Sequence, residues 1–164
     1  MNISKPIIVS IILAVLTPSV LFAGGTPEDS GQAIHVDADG IAAKGADVVA
    51  YFSLQPSDNS VAGSEEHAFT WRGATFLFAT EENRELFARE PERFAPAFGG
   101  YCAWAMARDR LATIDPDMWA VFDGRLYLNY NRRTQNDWLK ERDENIRKAE
   151  TIWPERAAEL SSSE

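Results

Sequence analysis

The dipeptide Asp123-Gly124 stands between two alternating apolar runs, Trp119-Ala120-Val121-Phe122 and Arg125-Leu126-Tyr127-Leu128-Asn129-Tyr130. Asp-Gly tolerates the two successive positive φ angles of a two-residue hairpin turn, so this stretch reads as two antiparallel strands with a fixed register. A second hairpin is expected from His67-Ala68-Phe69-Thr70-Trp71-Arg72, Gly73 and Ala74-Thr75-Phe76-Leu77-Phe78-Ala79. Phe69 and Trp71 alternate with polar or small neighbours, and Phe76 and Phe78 fall on one face, so the pairing buries an aromatic surface.

Helices follow both hairpins. Thr80 is a capping residue, Glu81 and Glu82 occupy the first turn and Arg89 the last, which suits the helix dipole. Leu86 and Phe87 are expected to pack on the aromatic hairpin, and Pro91 to end the helix. After the second hairpin, Trp138, Leu139, Ile146, Ala149 and Trp153 recur at helical spacing. They predict helix from Asn131 or Thr134 to Pro154, with a break near Asp143 and a polar tail over residues 155–164. The expected class is α+β, small antiparallel β-hairpins packed with helices and closed by a C-terminal helical segment.

Two segments are less regular. Ala46-Asp47-Val48-Val49-Ala50-Tyr51-Phe52 is too continuously apolar for a half-exposed strand and reads as a short buried element of undecided type, its Tyr51 hydroxyl in need of a partner. Residues 109–118 read as a polar loop with Asp115-Pro116-Asp117 as turn chemistry.

With 164 residues, 45% of them hydrophobic and 11% aromatic, the chain suits one domain with a true core. Its first 23 residues differ from the rest: Lys5, an apolar run over residues 6–16, and Ala23-Gly24-Gly25 are the parts of a secretory signal peptide. The competing reading is an uncleaved anchor, against which Pro18 argues. Residues 24–44 read as an extended leader in which Ile34 and Val36 dock as an edge strand, and 45–154 as the domain. The expected location is periplasmic or secreted, with no membrane span in the mature chain. The formal charge is −9, and removal of residues 1–23 takes away Lys5 and no acid. So acidic a protein is poorly suited to phosphate backbones, which excludes nucleic acid as a partner.

Candidate chemistry centres on Gly99-Gly100-Tyr101-Cys102-Ala103-Trp104-Ala105. Cys102 is the single cysteine, so in an exported chain it is buried, metal-bound, reactive or paired with another molecule. As a soft-metal site it would need an imidazole beside it. His67 is the candidate, with His35, Met106 and Met118 as further donors, and copper is the cofactor that thiolate, thioether and imidazole suit best. Against this stands an inert thiol packed as a small hydrophobe, and for His67 a place at the end of a strand. Tyr101 and Trp104 are candidates to line a pocket for a small planar ligand, though aromatics at this density also build cores. An enzyme using Cys102 as nucleophile and His67 as base is disfavoured, because no third orienting residue is marked. Asp115, Asp117 and Asp123 are explained by turns without invoking a hard cation.

From about Gly45 to Pro154 the chain resembles the YHS-domain family, in its exported single-domain branch. The resemblance rests on Gly45-Ala46-Asp47-Val48-Val49-Ala50-Tyr51-Phe52, Trp71-Arg72-Gly73-Ala74-Thr75-Phe76 and Phe78-Ala79-Thr80-Glu81-Glu82-Asn83. It continues in Pro91-Glu92-Arg93-Phe94-Ala95-Pro96, Gly99-Gly100-Tyr101-Cys102-Ala103 and residues 123–130. It implies a YHS-like fold more firmly than any one reaction. Metal-binding members carry cysteines where a strand leads into the helix; here residues 78–83 hold none, and Cys102, lying elsewhere, does not inherit those ligand roles. Two expectations follow: an accessory protein binding a soft metal ion or small ligand at Cys102, or a metal-free domain docking to another envelope protein.

Overall fold

The computed structural model describes residues 33–162; the expected signal peptide and most of the leader lie outside them. Four strands and five helices are formed among the described residues: β1 (Ser64–Trp71), β2 (Ala74–Phe78), α1 (Glu81–Arg89), α2 (Pro91–Phe94), α3 (Ala103–Met106), β3 (Asp115–Phe122), β4 (Arg125–Asn129), α4 (Arg132–Lys140) and α5 (Arg142–Ser161). This is the α+β arrangement of paired hairpins and helices expected from the sequence.

Both hairpins close as their turn residues dictate. Arg72 and Gly73 have φ of 50° and 76°, Asp123 and Gly124 of 47° and 72°, the paired positive angles of a turn that matches strand twist. Phe69 pairs with Phe76 in the first hairpin and Ala120 with Tyr127 in the second. The hairpins form separate two-stranded sheets. The outer edge of β2 is covered by residues 40–42, through Thr75 N–H to Gly40 O (3.0 Å) and Ala42 N–H to Thr75 O (2.9 Å).

The second hairpin is the partition of the molecule. Leu126, Leu128, Trp119 and Val121 face one apolar cluster with β1, β2 and α1, whereas Tyr127, Ala120 and Phe122 face another with Met106, Trp138, Ala149 and Trp153. Period-two alternation thus serves two cores at once, which is why this strand pair has no wet face. In the first cluster Phe87 is the plug: its ring meets Phe76 at 4.6 Å, Phe78 at 5.1 Å, Trp71 at 5.8 Å and Phe69 at 6.0 Å. Leu86, expected beside it, is 39% exposed, because one helical position turns the side chain about 100° away.

Two expectations need correction. Helix α5 does not stop at Pro154 but continues to Ser161, so no polar tail begins at residue 155. Proline there loses only the bond to the Glu150 carbonyl, and burial of Trp153 and Ala157 in the second cluster offsets it. Ahead of Gly45, Ile34 and Val36 pack on the first core, and Ala42 and Ala43 belong to it. Residues 115–117 are the start of β3 rather than a loop. They are drawn into the sheet because Tyr51 OH donates to Pro116 O (2.8 Å) and Asp117 Oδ1 accepts from Ser60 N–H (2.8 Å). The 46–52 element resolves as a turn followed by a 3-10 helix, Ala50–Ser53.

Candidate functional site

Gly99 explains why the cysteine-bearing segment reads as it does. Its φ is +60°, and a Cβ there would lie 2.0 Å from the Ala33 carbonyl oxygen and 2.9 Å from Trp153 Cη2. Only glycine lets the N-terminal segment and α5 meet at this crossing. The segment is fastened by His35 N–H to Gly99 O (2.8 Å), by His35 Nε2 against Thr113 Oγ1 (3.0 Å), and by the imidazole stacked on Tyr101 at 4.6 Å. Burial first, and then the Lys44 charge, hold the His35 imidazolium below its usual range, with Asp37 opposing.

The chain then turns into α3, with Cys102 at its N-cap. The thiol is 0% exposed and belongs to the first core cluster. Its polar neighbour is the buried Asn129 carboxamide: Sγ donates to Oδ1 at 3.8 Å, and the same oxygen accepts from Trp104 N–H at 3.2 Å. His67 lies within β1, its Nδ1 3.4 Å from Glu81 Oε2. Glu81 also pairs with Arg84, whose guanidinium is the main reason its carboxyl titrates below the usual range. The thiol and the imidazole expected to share a metal therefore have different partners and do not bond to each other. Among the described residues no three of His, Cys, Asp and Glu converge as a metal-holding group.

The aromatics singled out beside Cys102 also part company. Tyr101 sits between His35 and Trp153, 6.1 Å from the latter ring, while Trp104 lies under the Arg108 guanidinium at 4.0 Å. Both are half-buried and do structural work: the first clamps the N-terminal segment, and the second is held where Arg108 also reaches Asn145 Oδ1 (3.2 Å).

Sequence reasoning missed Asp47. It is 0% exposed, and its carboxylate gathers four donors: Val49 N–H (2.9 Å) and Ala50 N–H (3.1 Å) on Oδ1, Ala79 N–H (2.8 Å) and Asn83 Nδ2 (2.7 Å) on Oδ2. One side chain joins the 46–52 element to the β2–α1 junction. The signal was an acid placed inside an apolar run, a position where burial is costly unless every oxygen is used.

The structure also opens a cleft of about 630 Å³ between the end of the first hairpin, α2 and α5, lined by Trp71, Arg72, Glu92, Arg125, Trp153 and Pro154 with small apolar residues between them. Tyr101 and Trp104 are not in its wall. Arg72 is laid over the Trp71 ring at 4.4 Å and bonded to Glu92 at 3.2 Å. Comparison of the chain with family models, with curated proteins and with solved structures found no match.

Proposed function

We propose that this chain is an exported, non-enzymatic interaction domain of the YHS-like kind, in which Cys102 is a core thiol. The carrying observation is the burial of the sulfur among Phe, Trp and Leu side chains of the first core, with an amide oxygen rather than a second soft donor beside it. A thiol in that setting packs as a small hydrophobe and is a poor nucleophile. The residues that carry the family resemblance serve packing: Asp47 as a shared acceptor, Arg72-Gly73 and Asp123-Gly124 as turns, Gly99 as a crossing point. Export rests on the basic head and apolar run of residues 1–23.

Thiol accessibility and Cu(I) uptake test the reading together. The folded protein is expected to leave Cys102 unlabelled by a disulfide reagent until urea unfolds it, and to yield Cu(I) completely to a competing chelator. One-to-one copper retention that disappears in Cys102→Ala would overturn the proposal and restore the soft-metal site.

A further inference from the structure

We draw no further inference here: the strongest candidate, the cleft between the first hairpin, α2 and α5, has its Arg72 already paired with Glu92 and laid on Trp71, and nothing in the structure shows what covers the apolar wall and exposed Arg125 that remain.

Discussion

Replacing Asp47 tests whether one buried carboxylate holds the first core to the segment that precedes it. Its two oxygens accept four hydrogen bonds, three from backbone N–H groups and one from the Asn83 side chain. The residue is fully buried, so water does not replace it. Asp47→Asn keeps the shape but turns one oxygen into an NH₂ group, which faces two donors with a third. Hydrogen bonds to a charged acceptor contribute about 1.5–3 kcal/mol each, and stranded buried donors cost a similar amount. Losses are shared and partly relaxed, so the expected destabilisation is about 3 kcal/mol for Asp47→Asn and about 5 for Asp47→Ala, of a total on the order of 5–15 kcal/mol. With a urea dependence of about 1.5–2 kcal/mol/M, the Asn variant should unfold at a midpoint lower by roughly 1.5–2 M. Asn83→Ala, which removes a single donor and leaves the backbone contacts, should cost only about 1 kcal/mol. Urea unfolding followed by tryptophan fluorescence measures all three. An Asp47→Asn midpoint within about 0.3 M of the parent, a difference of under 1 kcal/mol on the same slope, would refute the argument that these four donors depend on the carboxylate.

Phe87→Ala removes the ring that plugs the first hairpin and should cost about 3–5 kcal/mol, against less than about 1 for the half-exposed Leu86→Ala; thermal melts of the pair would separate them. Gly99→Ala should prevent folding or displace the N-terminal segment, since a methyl would meet the Ala33 carbonyl at 2.0 Å, whereas Gly100→Ala meets nothing closer than 3.9 Å and should lose only about 1–2 kcal/mol for its positive φ. Circular dichroism and limited proteolysis read that contrast. Because the folded state lowers the His35 pKa below the unfolded value of 6.5, its contribution is present in full above pH 6.5 and is lost as pH falls through the folded pKa. Unfolding midpoints taken from pH 7.5 to 5 should therefore fall less steeply in His35→Gln than in the parent, and identical slopes would show that the imidazole does not sense the fold.

Much of the local structure was legible in advance. The Asp123-Gly124 turn, the glycine-centred first hairpin, and the helix capped by Thr80, whose side chain accepts from Asn83 N–H, all depend on residues within a few positions of one another. The aromatic face of β2 was legible because alternation assigns Phe76 and Phe78 to one side. The run through Pro154 was not, since the loss of one backbone bond is a local property while burial of Trp153 and Ala157 is not. At the cysteine, residue type alone suggested a donor. Its setting, an Asn129 oxygen from β4 and a core assembled from both hairpins, depends on chain segments far apart in sequence.

Turn geometry, capping and periodicity are short-range, so the amino-acid order by itself determined the two hairpins, the helices that follow them, the α+β class and the acidic character of the molecule. Only the tertiary structure decided that the thiol is sealed, that His67 answers to Glu81, that Asp47 serves four donors, and that Arg72, Arg125, Trp71 and Trp153 share a cleft. The physical reason is that burial and convergence are properties of surfaces brought together from remote parts of the chain. Their free energy appears only when both cores close around the second hairpin.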